Sequence, residues 1–168
     1  GGAAAYKTES GIYFYPSLFA GLGYNDNVLS SASNPISSSV LRVNPQLIAE
    51  MKHKGDRFTG LASVNNVSYA SSSPDNATNS EIRLAGDHFF TARARSAWSV
   101  GQVRNTEARG SSDRPVSAEA DRWTANNAEG RFIYGAPEAK GRLEFDLGIY
   151  NKTFDNNRAV TAVSDVNA

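Results

Sequence analysis

Residues 81–94 read Glu-Ile-Arg-Leu-Ala-Gly-Asp-His-Phe-Phe-Thr-Ala-Arg-Ala, and the pattern in them repeats every second position. Even positions are mostly apolar, as at Ile82 and Leu84, whereas odd positions include the charged Arg83 and Asp87. Successive side chains of a β-strand point to opposite faces of its sheet. The segment therefore predicts a strand with one apolar face and one charged face.

The same alternation occurs elsewhere in the chain. It is clear in 40–52 and in 142–154, where apolar and charged residues take turns over most of each segment. Weaker versions predict four further strands, at 11–24, 57–70, 95–105 and 122–135. No stretch sustains the helical spacing of apolar residues, and none begins with a convincing helix cap. The sequence thus predicts seven strands and an all-β fold.

Two positions predict local irregularities. Pro45 lies on the apolar parity of 40–52 and cannot donate a ladder hydrogen bond, so a bulge or a sheet edge is expected there. In 57–70 the apolar parity changes after Asn65-Asn66, which predicts a second bulge.

The connections between the predicted strands alternate in length. Tight links lie near 54–56, 91–94 and 137–141, and long polar loops lie near 25–38, 71–80, 106–121 and 155–168. In an up-and-down meander, alternate connections fall at the same end of the sheet. One end then carries tight turns and the other long loops, an asymmetry typical of outer-membrane barrels.

Strand length and this asymmetry predict an antiparallel up-and-down meander that forms a transmembrane β-barrel. Strands of roughly 10–14 residues match a tilted membrane crossing. Residues 1–10 are taken as an N-terminal extension and residues 11–168 as barrel strands. Because a single-chain bacterial barrel needs an even strand number, seven strands favour the N-terminal half of a larger barrel. The alternative is a small barrel with 158–166 as a weak eighth strand.

Aromatic residues near the predicted strand ends suggest two belts at the membrane interfaces. The proposed belt at the loop end contains Tyr24, Tyr69, Tyr150 and Phe154, and the one at the turn end contains Tyr13, Phe58, Phe89, Phe90 and Tyr134. Aromatic residues are also common in strands of any kind, so the belts are a hypothesis.

Composition excludes several functional classes. The chain has 168 residues with 17 Lys and Arg against 17 Asp and Glu, and it has no cysteine. A nucleic-acid partner is not expected, because such proteins carry a basic surplus. Disulfides, thiolate metal sites and cysteine nucleophiles are excluded.

No arrangement of residues predicts catalysis, a metal or a cofactor. His53 and His88 have no partner at metal-ligand spacing, and Glu144 and Asp146 share their face with Arg142. We therefore expect no enzyme. The candidate functional residues are the charged residues of the polar parity, which would face the barrel lumen: Arg42, Glu50, Lys52, Arg83, Asp87, Arg93, Arg142, Glu144 and Asp146. They serve a solute, or they only pair across strands and keep the lumen wet.

The opening strand and loop resemble a family of porin-like outer-membrane β-barrel proteins associated with bacterial exopolysaccharide and exosortase loci. The resemblance rests on Pro16-Ser17-Leu18, on Tyr24 followed by Asp26-Asn27-Val28, and on the proline of Val43-Asn44-Pro45. These short motifs cover mainly residues 11–70. The resemblance implies an outer-membrane location and a role in polysaccharide export, and it carries over no catalytic residue.

The sequence thus favours a bacterial outer-membrane barrel that passes or guides a hydrophilic solute, with exopolysaccharide as the candidate. Its expected partners are outer-membrane lipid, polysaccharide and the other proteins of an export or surface assembly. Two alternatives stay open: a non-conducting structural or adhesive outer-membrane barrel, and a soluble β-sheet carbohydrate-binding module.

Overall fold

The computed structural model describes residues 5–28, 36–109, 119–136, 138 and 140–168. These residues form one antiparallel sheet in which each strand pairs with the next along the chain. The strands are β1 (Tyr6–Lys7), β2 (Ile12–Asn25), β3 (Ser38–His53), β4 (Asp56–Tyr69), β5 (Ala77–Phe89), β6 (Ala94–Glu107), β7 (Asp121–Tyr134), β8 (Leu143–Phe154) and β9 (Val166–Asn167).

The seven predicted strands correspond to β2–β8, so the all-β meander is confirmed. The sheet is not closed into a barrel within the described part of the chain. β1 covers only Tyr13 and Phe14 on the outer edge of β2, and β9 pairs only with Asn151 and Lys152 of β8. Two long strand edges are therefore open.

Cross-strand pairing sorts the side chains of the sheet onto two faces. Leu84 pairs with Gly60 and Val100, and its neighbour Ala85 pairs with Thr59 and Ser99. Paired residues of neighbouring strands lie on the same side of a sheet. The side that carries Leu84 is called the apolar face below, and the side that carries Ala85 is called the groove face.

The two predicted bulges are absent. The pairing of β3 with β4 keeps one register on both sides of Pro45, with only the pairs of Asn44 and Pro45 missing. The side-chain amide of Asn44 donates to the carbonyl of Val64, the residue opposite Pro45, and so replaces a ladder donor that proline lacks. The ladder of β4 with β5 also runs without a break through Asn65 and Asn66.

The parity change after Asn66 therefore has a different cause from the predicted one. Without a bulge, Val67 lies on the groove face, where it is 7% exposed. It is covered at the end of the sheet that carries the long loops, called the loop end below. The other end of the sheet, with the tight turns, is called the turn end.

After β8 the chain reverses direction through helical turns. Helix α1 spans Arg158–Thr161, a 3-10 turn spans Ala162–Ser164, and β9 then pairs with β8. The weak eighth strand expected at 158–166 is thus mostly helical, with the new strand beginning at Val166. Among the described residues, no helix combines the length and apolarity needed to span a membrane.

The predicted aromatic belts form only in part. At the turn end, Phe58 and Tyr134 lie on the apolar face, but Tyr13 and Phe89 lie on the groove face. Phe90 follows β5 and its ring lies 6.2 Å from that of Phe132, which is on the apolar face. At the loop end, Tyr24 is on the apolar face, whereas Tyr69, Tyr150 and Phe154 are on the groove face. Position along a strand predicts how near a ring lies to the end of the sheet, but strand parity decides which face the ring occupies.

A small core lies at the loop end and fastens the long loops to the sheet. Its buried residues are Val28, Ser38, Val40, Val67, Ser72, Asp75, Ala120, Ala125, Phe154 and Thr161. Within it, Arg109 donates to both carboxylate oxygens of Asp75 at 2.8 Å, and Ser72 donates to the same carboxylate. The loop after β4 is thereby bound to the segment after β6.

The charge of Asp75 is stabilised in this core. Burial raises the pKa of its carboxyl, but the hydrogen bonds from Arg109 and Ser72 and the positive charge of Arg109 outweigh burial. The pKa of Asp75 therefore lies below its usual value. A carboxyl whose folded-state pKa is lowered contributes stability that is complete above its unfolded pKa of about 3.9 and is lost as the pH falls through the folded value.

We expect residues 70–76 to keep their protection from backbone amide exchange at pH 4 and to lose it in a step below about pH 3.9, when Asp75 is protonated. Amide exchange corrected for intrinsic rates measures the step. Asp75→Asn, which keeps the shape but cannot ionise, should remove the step. A midpoint at or above the ordinary carboxyl pKa would contradict the assignment.

Candidate functional site

The apolar face carries a band of exposed hydrophobic side chains, called the apolar belt. One hydrogen-bonded row of it runs across the sheet through Phe14, Ala49, Gly60, Leu84, Val100, Ala128 and Ile149. On β8, Phe145 is 68% exposed and Leu147 is 78% exposed. In the part of the chain that the structure describes, no second layer covers this face. An exposed apolar surface of this extent indicates an apolar environment or partner.

A row of amide side chains borders the apolar belt towards the loop end. Gln102 donates to Asn126 at 2.9 Å, and Asn126 donates to Asn151 at 3.1 Å, so the row continues across β6, β7 and β8. It lies two residues beyond Val100, Ala128 and Ile149 on the same face. The change from apolar to polar is therefore abrupt.

The groove face lines a groove of about 690 Å³ that extends over β4–β8. Small residues form its floor, including Ala85, Ala97, Ser99 and Gly148. Its charged lining residues are Arg57, Asp87, Arg95, Glu129, Arg131 and Asp146. A volume in the range of roughly 300–1,000 Å³ is typical of small-molecule sites.

The charges in the groove are only partly paired. Arg131, which lines the groove, lies 2.7 Å from Asp146 of the groove wall and 3.0 Å from Glu144 beside it. The Nε atom of Arg95 is buried and has no acceptor among the described residues. Groups of both signs are thus available to a polar ligand.

The structure brings most of the predicted site residues to the groove face. Those within strands on this face are Arg42, Glu50, Lys52, Arg83, Asp87, Glu144 and Asp146. Arg93 and Arg142 lie outside the strands, in the tight turns before β6 and β8. Only Asp87 and Asp146 of the predicted set line the groove itself.

Sequence reasoning missed four charged residues of the groove. They are Arg57, Arg95, Glu129 and Arg131, and each lies on the groove face. The signal was present, because each alternates with an apolar-face neighbour such as Phe58 or Phe132. Arg131 and Asp146 are direct cross-strand partners, a pairing that depends on the register between β7 and β8.

The two histidines form no metal site in the structure. Nδ1 of His88 lies 2.6 Å from Oδ2 of Asp56, whose Oδ1 accepts the backbone N–H of Phe89 at 3.0 Å. The imidazole stands edge-on to Phe90 with ring centroids 4.6 Å apart. Among the described residues, no three His, Asp or Glu side chains are grouped as metal ligands.

The comparisons give no relative for this chain: no family model, no curated protein and no solved structure matches it. The resemblance to porin-like proteins therefore stays a sequence-based prediction, and the geometry of the two faces is what bears on function.

If the groove charges serve a ligand rather than the fold, removing one should cost little stability. Arg131→Gln is expected to leave the free energy of unfolding nearly unchanged, because solvent screens exposed ion pairs. On the same strand and face, Ile133→Ala should cost about 2–5 kcal/mol, because Ile133 is 5% exposed. Chemical denaturation measures both. A loss for Arg131→Gln as large as that for Ile133→Ala would mean that the charges mainly stabilise the sheet.

Proposed function

We propose that the chain is part of a bacterial outer-membrane β-barrel that passes or guides a hydrophilic solute. The observation that carries the proposal is the division of the same strands between an exposed apolar belt and a charged groove. Transmembrane barrels alternate lipid-facing and lumen-facing residues in this way. In the proposed barrel, acyl chains cover the apolar belt and water fills the groove.

The apolar belt crosses the sheet obliquely, which supports this orientation. On β8 the belt ends at Ile149, which lies in the same cross-strand row as Phe14 of β2. On β2 the belt continues eight residues beyond Phe14, to Leu22. At the turn end, the belt begins on β2 at Ile12, which lies in the same row as Leu147 of β8. On β8 the belt begins four residues before Leu147, at Leu143.

This drift of four to eight residues can be converted into an angle. It amounts to roughly 13–26 Å along the strands, over about 29 Å across the six strand spacings from β2 to β8. The strands are therefore inclined by roughly 25–40° to the normal of the belt. Strands of outer-membrane barrels are tilted by about 35–45°. A belt of lipid contacts in a membrane plane accounts for this slope.

Closure of the barrel requires additional strands. Both β2 and β8 run from the turn end to the loop end, so they cannot pair with each other antiparallel. An odd number of added strands restores the antiparallel order and makes the total even, as in bacterial barrels. β1 and β9 run antiparallel to the two edge strands and have the direction that such a strand needs. The proposal thus makes this chain part of a larger barrel.

The solute is expected to be polar and rich in hydrogen-bonding groups. The groove offers the unpaired Nε of Arg95 and charged groups of both signs over a floor of small residues, which suits a hydroxyl-rich chain better than a single ion. Exopolysaccharide, the candidate implied by the family resemblance, fits this chemistry. The second candidate function is a non-conducting surface barrel, and the loops fastened by Asp75 and Arg109 favour it, because ordered loops suit adhesion.

Conductance of the complete barrel, which contains this chain and the strands that close the sheet, tests the proposal in planar lipid bilayers. We expect ion-conducting steps for the wild type, and smaller steps for Ala97→Trp, because the indole would fill the floor of the groove. Ala128→Trp is the matched control, since Ala128 lies on the apolar face of the next strand and its indole would face lipid.

Conductance that falls only in the groove variant would support solute passage. Absence of conductance from correctly inserted protein would favour the surface barrel. An equal fall in both variants would contradict the assignment of the two faces.

A further inference from the structure

A second groove, of about 420 Å³, lies at the loop end of the sheet, where β6 and β7 approach their loops. The residues that line it on the apolar face include Thr78, Arg104, Thr106, Arg122 and Thr124. Two guanidinium groups are therefore brought to the same side of the sheet as the apolar belt. The groove is separate from the charged groove described above, which opens on the opposite face.

The second groove stands at a defined height above the apolar belt. Arg104 is four residues beyond Val100, the last belt residue of β6, on the same face. Four strand residues span about 13 Å. The amide row that contains Gln102 lies between them. A molecule that contacts both Val100 and Arg104 must be apolar at one end and anionic at the other.

The two arginines are free to bind an anion. Arg104 is exposed and forms no ion pair within the described part of the chain. Arg122 has one long contact, 3.8 Å from Glu119, while its side chain is 55% exposed. The backbone of Arg122 is held by Asn156 and Asp155, so the side chain projects from a fixed point.

The acidic residue at this groove, Asp155, is held in place by hydrogen bonds to its neighbours. Asp155 accepts a hydrogen bond from the hydroxyl of Thr124 at 2.8 Å. Its backbone N–H donates to the carbonyl of Arg122 at 2.6 Å. The lining thus carries two guanidinium groups against one carboxylate, with hydroxyl groups beside the guanidinium groups.

We propose that this groove binds the phosphate of an anionic lipid headgroup, with Arg104 and Arg122 as its ligands and the acyl chains of the same lipid on the apolar belt. Guanidinium groups form paired hydrogen bonds with phosphate oxygens, and neighbouring threonine hydroxyls add further contacts. The distance from belt to groove selects a lipid over a free anion. This inference rests on the membrane orientation of the proposed function.

Vesicle binding tests the proposal with the full chain. Insertion is measured into vesicles of phosphatidylcholine alone and into vesicles that also contain phosphatidylglycerol. The variant Arg104→Gln with Arg122→Gln removes both guanidinium groups. The control, Lys54→Gln with Lys140→Gln, removes two charges from the tight turns at the other end of the sheet.

The wild type should prefer the anionic vesicles, and the arginine variant should lose roughly 30-fold of that preference, as expected for two basic residues at a charged membrane surface. The lysine control should keep it. Replacing both arginines by lysine should restore most of the electrostatic preference but less of the affinity, because lysine cannot bind phosphate in a bidentate manner.

Four results would overturn the inference. Equal insertion of the wild type into both kinds of vesicle would overturn the headgroup site alone, and no insertion into either would overturn the membrane orientation as well. Equal losses in the arginine variant and the lysine control would mean that the effect is general. Binding of soluble glycerol phosphate as tightly as the vesicles would show that the lipid is not the ligand.

Discussion

The structure depends on a constant register between neighbouring strands. Because side chains alternate with a period of two, a slip of one residue in any pair would turn that strand's apolar side chains to the groove face. The register of β3 with β4 continues unchanged past Pro45, although two pairs are missing there. The side chain of Asn44 fills the place of the absent donor and keeps the two faces separate.

The same constraint explains why the molecule has so little core of its own. Most buried residues lie at the loop end, where the loops fold against the sheet. Among the residues that the structure describes, the middle of the sheet is a single layer with neither face covered. Each Å² of apolar surface that stays in contact with water costs about 25 cal/mol of free energy relative to an apolar environment. The apolar belt therefore gains more from an apolar environment, such as the proposed acyl chains, than the loop end does, where Asp75 and Arg109 stabilise the packing locally.

The strands could be predicted from the sequence because the alternation is local. The segment around Leu84 contains its own evidence, and so does the segment around Phe145. Features that depend on pairing between distant strands could not be predicted. The predicted bulge after Asn66 is wrong for this reason. An apolar residue on the opposite parity indicates either a bulge or a site that loops cover on the other face, and Val67 is the second case. The contact of Arg131 with Asp146 needs the register of β7 with β8, which no local pattern contains.

The chain has two tryptophans, one on each face, and they test which solvent each face meets. Trp98 lies on the apolar belt over Gly86, and Trp123 lies on the groove face with Lys152 over its ring at 4.4 Å. Single-tryptophan proteins, Trp123→Phe and Trp98→Phe, are inserted into vesicles whose acyl chains carry bromine near their midpoint. If acyl chains contact the apolar belt and water fills the groove, we expect strong quenching of Trp98 and little quenching of Trp123. Equal quenching of the two, or quenching of Trp123 alone, would contradict it.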